Sequence, residues 1–239
     1  MEPRDFVIFA LDVSSVDEGR RILEVVQPYI GAVKIGKRLL ARTSIPDAVV
    51  LARDYELPLM LDNKEFDIPD TLRDVAEQYA DFDLFGFTAS AAAGDDAIKR
   101  MVEATSPKQV IVVTVLTSMT EEQCMRIYNR GVQQQVKKLS HEARLGGATS
   151  VVCAPVEVPM LFDDPELAHM NPVTPGIRPL WAATRSQNPD RVMTPAKAVL
   201  AAHKKGKMVI GSPIRKPPPE IGSPVEACKR ILDDIASVL

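Results

Sequence analysis

Short apolar runs alternate with longer amphipathic stretches along the whole 239-residue chain, and this alternation limits the fold more than any other feature. A brief apolar run suits a strand buried on both faces, whereas apolar positions three or four apart suit one face of a helix. Phe6–Asp12 (FVIFALD) reads as the first strand. Ser15–Gln27 follows as a helix, with Val16, Ile22, Val25 and Val26 on its apolar face behind a Ser/Asp capping signal. Ala32–Gly36 is the second strand, and Lys37–Tyr55 is helical, with Pro46 predicting a break or a new first turn. Pro58–Lys64 is the third strand. Its helix, Pro69–Ala80, starts on a proline, where a missing N–H costs least. The remaining strands are Leu84–Thr88, Gln109–Leu116, Ser150–Ala154, Asn171–Pro175 and Lys207–Gly211. The helices between and after them are Asp95–Ala104, Thr120–Tyr128, Val132–Leu145, Val158–Phe162, Pro195–His203 and Val225–Leu239.

Eight alternations of this kind imply parallel strands joined by helical crossovers. An open doubly wound sheet and a closed barrel both satisfy that pattern. The strand count and the length favour the barrel. No G-x-G-x-x-G follows the first strand, which weakens the dinucleotide-binding alternative. No repeat, linker or second domain is visible, so the expected fold is one α/β domain, a (β/α)₈ TIM barrel spanning residues 1–239.

A formal net charge of −3 gives no support for binding to nucleic acid or to an anionic membrane surface. The cysteines (Cys124, Cys153, Cys228) are odd in number and far apart, which fits a reducing compartment better than a disulfide framework. The histidines (His141, His169, His203) lack metal-ligand spacing. No signal-like apolar stretch opens the chain, and no run reaches the roughly 18 apolar residues of a membrane span. These absences point to a cytoplasmic protein.

The third strand carries the densest chemistry. It runs into Asp62-Asn63-Lys64-Glu65-Phe66-Asp67-Ile68-Pro69-Asp70-Thr71. Barrel active sites lie at the C-terminal ends of strands. Asp62 and Lys64 are two residues apart, so on a strand they share a face, and Asp67 follows in the turn before the helix. Read alone, D-x-K-x-x-D also fits a solvated loop with incidental charges. Its place at a barrel rim favours function, because inward-facing charges are costly to desolvate unless paired. Lys34 on the second strand and Asp12 at the end of the first add to the same rim.

Taken in order, ALD (Ala10–Asp12), VKIG (Val33–Gly36), LDNKEFDIPDT (Leu61–Thr71), VTVLTSM (Val113–Met119), TPGIRP (Thr174–Pro179), RVMTP (Arg191–Pro195) and GSPI (Gly211–Ile214) closely resemble the orotidine 5′-phosphate decarboxylase family. The resemblance covers nearly the whole chain. It implies a homodimer with shared active sites. Lys34, Asp62 and Lys64 would come from one subunit, and Asp67 and Thr71 would reach the site of the other. It also implies that Asp12 binds the ribose hydroxyls, that Thr117 lies near the pyrimidine, and that Arg178, Gln187, Gly211 and Ser212 lie toward the phosphate. The implied reaction is loss of CO₂ from orotidine 5′-phosphate to give UMP in pyrimidine biosynthesis, without cofactor or metal. Lys64 would be the proton donor, since flanking carboxylates favour a charged ammonium. The segment Gly176–Met193, with Trp181 and Gln187, reads as a lid.

The chain departs from the family's pattern at three places. Ser212 stands where the family usually has an arginine for the phosphate, leaving Arg178, Arg185 and Arg215 as alternatives. Thr88 stands near the end of the fourth strand, where the family often has histidine. The segment before Arg191 reads SQNPD. Two other readings stay open. One is a Mg²⁺-dependent sugar-phosphate decarboxylase or aldolase of the same superfamily, and the other a barrel that binds a nucleotide phosphate without catalysis.

Overall fold

In the computed structural model, which describes residues 1–105, 110–182 and 189–239, eight parallel strands follow one another around a closed barrel in chain order. They are β1 (Val7–Ala10), β2 (Ala32–Gly36), β3 (Leu59–Glu65), β4 (Gly86–Ser90), β5 (Val110–Val113), β6 (Ser150–Val152), β7 (Asn171–Thr174) and β8 (Lys207–Ile210), with β8 pairing back to β1. The helices are α1 (Val16–Val26), α2 (Lys37–Leu40), α3 (Ile45–Arg53), α4 (Pro69–Ala80), α5 (Asp95–Ala104), α6 (Glu121–Tyr128), α7 (Val132–Leu145), α8 (Val158–Phe162), α9 (Pro195–Ala201), α10 (Ser212–Arg215) and α11 (Pro224–Ala236). This is the TIM barrel that the alternation predicts. No described helix is long and apolar enough to cross a membrane. All three cysteines are buried and unpaired.

Several strands are shorter than their apolar runs. β1 stops at Ala10 and β5 at Val113, yet Leu11 and Val115 beyond them are fully or almost fully buried. The apolar run reports burial, which continues beneath the helices after ladder pairing has ended. The predicted helix Lys37–Tyr55 is two helices. Ser44 caps α3 by accepting from the Asp47 N–H, and the Asp47 carboxylate accepts from the Ser44 N–H in return. Pro46 then sits in the first turn, where no N–H is required. The single turn α10 was not foreseen; it follows directly on β8 and carries Ser212 and Arg215.

Period-two alternation divides the barrel. Phe9, Leu11, Ile35, Leu61 and Phe87 belong to the large apolar shell beneath the helices. Ile8, Ala10, Ala32, Met60, Ile111, Val173 and Val209 form a second, inner cluster. Each large aliphatic side chain removed from water in this way contributes roughly 2 kcal/mol. Lys34 is two residues beyond Ala32, and Asp62 two beyond Met60, so the same alternation carries both charges into the barrel above its apolar floor.

Candidate active site

The inward-facing charges form one chain of contacts. Lys34 Nζ lies 2.9 Å from Asp62 Oδ2 and 3.5 Å from Asp12 Oδ1. Lys64 Nζ lies 2.7 Å from Asp62 Oδ1. Acid and base therefore alternate in the order Asp12, Lys34, Asp62, Lys64 within a single chain. Burial by itself would push the Asp62 carboxyl up, but the ammonium groups of Lys34 and Lys64 outweigh it and hold the pKa down to about 2. Burial likewise acts to lower Lys34, and Asp62 and Asp12 overcome it, so its pKa is raised. Gly36 eases the close approach of β2 and β3. A β-carbon there would lie 3.2 Å from the Asp62 carbonyl oxygen and 3.4 Å from Lys34 Nζ.

Asp62 and Lys64 do meet, but not through plain strand alternation. The register between β3 and β4 shifts between Leu61 and Glu65. Lys64 is left-handed, with φ of 53°, a conformation that costs a non-glycine residue about 1–3 kcal/mol. Its N–H donates to the Thr88 hydroxyl at 2.8 Å, and that hydroxyl donates to Asp62 Oδ1 at 3.0 Å. The residues on either side of Lys64 bond to α4 instead: Tyr79 accepts from Asn63 Nδ2 at 2.8 Å and donates to Glu65 Oε1. Lys64 keeps 38% of its side chain exposed.

The array borders a cavity of about 460 Å³ at the C-terminal ends of the strands. That volume lies within the range of small-ligand sites. Of the residues singled out from sequence, Asp12, Lys34, Asp62, Lys64, Thr117, Arg178, Gly211 and Ser212 line it. Val113, Val115 and Val152 form an apolar wall. Arg38 and Arg215 also line the cavity, and Arg38 escaped the sequence reading altogether. Its only clue was position, two residues after the glycine that ends β2. Arg178 Nη1 donates to the Ile177 carbonyl at 2.7 Å, and burial lowers its pKa. Arg215 Nε is buried and has no hydrogen-bond partner among the described residues.

Asp67 and Thr71 lie elsewhere. Both are exposed and neither lines the cavity; the Asp67 carboxylate accepts from the Ile68 N–H at 2.7 Å. The side chains beside Asp67, Phe66 and Ile68, are each 65% exposed. Gln187 and Arg185 fall outside the described residues.

A buried ion pair braces the rim, and sequence reasoning missed it. Arg191 Nε donates to Glu157 Oε1 at 2.8 Å, while its Nη1 donates to the carbonyls of Leu116 at 2.7 Å and Met119 at 3.3 Å. Glu157 Oε2 accepts from the Ala154 N–H at 2.7 Å. The ends of the Gly176–Met193 segment are joined. Arg178 N–H donates to the Met193 carbonyl at 2.8 Å, and Met193 N–H to the Gly176 carbonyl at 3.2 Å. Gly176 has φ of 87°, and a β-carbon there would stand 2.9 Å from the Arg191 carbonyl oxygen, so glycine is required.

The family model described as orotidine 5′-phosphate decarboxylase / HUMPS matches residues 5–231. The chain belongs to that family. Orotidine 5′-phosphate decarboxylase of Geotalea uraniireducens is 33% identical over 99% of this chain and 98% of its own length. That of Geobacter sulfurreducens is 34% identical over 98% and 97%. Full-length likeness at this identity places the chain among the carboxy-lyases of the orotidine 5′-phosphate decarboxylase family. The crystal structure of the Lactobacillus acidophilus decarboxylase aligns with a TM-score of 0.77 at 27% identity, covering 96% of this chain and 98% of that one. The Methanocaldococcus jannaschii enzyme complexed with the inhibitor BMP aligns with a TM-score of 0.75 at 20% identity, covering 96% and 97%, and shows the shared fold.

The depressed pKa of Asp62 sets an acid limit. Its folded value lies below its unfolded one, so its stabilisation is complete above about pH 4 and is lost as pH falls toward about 2. A shift of this size corresponds to about 2 kcal/mol. Urea unfolding across that window should show wild type losing this increment and Asp62→Asn lacking it. Parallel loss in the two proteins would show that Asp62 is not the linked group.

Proposed function

We propose that this chain decarboxylates orotidine 5′-phosphate to UMP without a cofactor, with Lys64 as the proton donor. The observation that carries this reading is the Lys64 ammonium, held 2.7 Å from Asp62 at the edge of the cavity. When the C6–carboxylate bond breaks, its electron pair stays on C6 and CO₂ leaves. A fixed ammonium beside C6 stabilises that pair as it develops and then donates its proton there, leaving a neutral amine that recovers a proton from water. Stabilisation of this kind is already in place before the bond breaks, which is what favours the transition state over the substrate. Asp62 sits where the substrate carboxylate would approach. Repulsion there raises the ground state, a smaller contribution than the preorganised ammonium. Both Asp62 oxygens already accept from lysines, so a divalent cation at this carboxylate would have to displace one. That donor set favours the pyrimidine reaction over the Mg²⁺-dependent one.

Asp12 is assigned to the ribose hydroxyls and Thr117 to the pyrimidine. The phosphate is assigned to the end of the cavity lined by Gly176, Arg178, Gly211, Ser212 and Arg215. Arg215 is the cation assigned to offset the absence of charge at Ser212, because it lines the same cavity three residues further on. Lys34 and Asp62 hold the array. Asp67 and Thr71 are assigned to the site of a second copy of the chain, in a homodimer. The exposed Phe66 and Ile68 beside Asp67 supply apolar surface for that contact. A dimeric single-barrel enzyme working in the cytoplasm on a small phosphorylated substrate fits these assignments.

Ultraviolet absorbance of orotidine 5′-phosphate reports the reaction directly. Turnover should be unchanged by EDTA and should fall about 10³-fold or more in Lys64→Ala, which loses both stabilisation and proton transfer. Near-normal turnover in that variant would remove Lys64 from its role. Loss of activity on chelation would select the Mg²⁺-dependent alternative, and tight UMP binding with no CO₂ release would select the non-catalytic one.

Arg215→Ala should raise KM for orotidine 5′-phosphate about 10- to 100-fold, the value of a charge-assisted contact, and leave slow turnover of unphosphorylated orotidine unchanged. An equal effect on both substrates would place Arg215 away from the phosphate.

Mixing inactive Lys64→Ala with inactive Asp67→Asn and allowing subunits to exchange should restore activity to about a quarter of wild type, because one site in each mixed dimer is intact. No recovery in a mixture shown to exchange would assign both residues to one subunit's site.

A further inference from the structure

The seam between β3 and β4 departs from an ordinary parallel pair in ways that meet at one atom. The register slips between Leu61 and Glu65, and Lys64 turns left-handed within the slip. Opposite it, Thr88 is fully buried, and its hydroxyl oxygen contacts both the Asp62 carboxylate and the Lys64 backbone N–H. A hydroxyl has one proton to give and lone pairs to accept with. Asp62 Oδ1 only accepts, and the Lys64 N–H only donates. The two neighbours therefore fix the orientation of the hydroxyl, and neither role can be filled by a methyl group.

We propose that Thr88 is a positioning residue whose hydroxyl ties the Asp62 carboxylate to the backbone of Lys64 and so sets where the Lys64 ammonium points. Thr88 is fully buried and does not line the cavity. It acts through two residues that do line it. Lys64 meets Asp62 twice, at 2.7 Å through its side chain and through the Thr88 bridge from its backbone. Without the bridge, Asp62 Oδ1 keeps, among the described residues, only the flexible Lys64 side chain as donor. The left-handed turn at Lys64 then loses a contact that selects it over extended backbone. The ammonium would still be present and charged, but spread over more positions. That loss falls on the chemical step, where placement matters most, and not on substrate binding.

The kinetic side of this inference rests on the decarboxylase reading; its structural side does not. Thr88→Val keeps shape and removes the hydroxyl, and Thr88→Ser keeps the hydroxyl and removes the methyl. The valine variant should lose about 10- to 100-fold in kcat with KM within about 3-fold, as expected for a hydrogen bond to a charged group. The serine variant should stay within about 3-fold of wild type, because the bridge it retains is the group at issue. Amide hydrogen exchange at Lys64 should accelerate in the valine variant and remain slow in the serine one. If the valine variant fails to fold, Thr88→Ala against Thr88→Ser makes the same comparison. Wild-type kcat and unchanged Lys64 exchange in the valine variant would overturn the proposal, as would a serine variant as impaired as the valine one. If wild type does not act on orotidine 5′-phosphate at all, the decarboxylase reading fails, while the exchange experiment still decides whether Thr88 holds Lys64.

Discussion

The Asp62 carboxylate, shared between two ammonium groups, is the interaction on which the rest of the site depends. Its oxygens accept separately from Lys34 and Lys64, so one anion fixes two cations that stand on different strands. Burying Lys34 or Asp62 alone would be costly; together they offset one another and stay ionised. The fold is arranged around that compensation. The apolar inner cluster supplies a dry floor, Gly36 lets β2 close on β3, and a strained lysine is held at the rim.

The division of labour in the barrel follows from the same compensation. Residues facing the helices are almost wholly apolar and supply stability. Residues facing the axis change from apolar to charged within one strand step, as from Ala32 to Lys34 and from Met60 to Asp62. Chemistry can therefore be concentrated at one end of the barrel without disturbing the packing that holds the strands together.

Much of this was legible in the sequence, for identifiable reasons. Strand and helix periods are local, so the alternation gave the barrel, and several helices, such as Pro69–Ala80 and Val132–Leu145, match their predicted spans. Asp62 and Lys64 stood out because they are two residues apart. Features built from distant parts of the chain left no such trace. Arg191 and Glu157 are 34 residues apart, and neither looks unusual alone. Thr88 could be noted as a departure from the family, but its contacts depend on a register slip that no periodicity encodes. Strand ends were overrun because burial continues past the ladder, as at Leu11 and Val115.

The Arg191 side chain has a mechanical consequence. Its guanidinium grips the carbonyls of the loop after β5, while its own backbone belongs to the far end of the segment that begins at Gly176. Arg191 thus rivets the loop after β5 to the short backbone bridge that joins Gly176 and Arg178 to Met193, at a buried point that water cannot loosen. Displacing either stretch there strains the other, so the two are mechanically coupled.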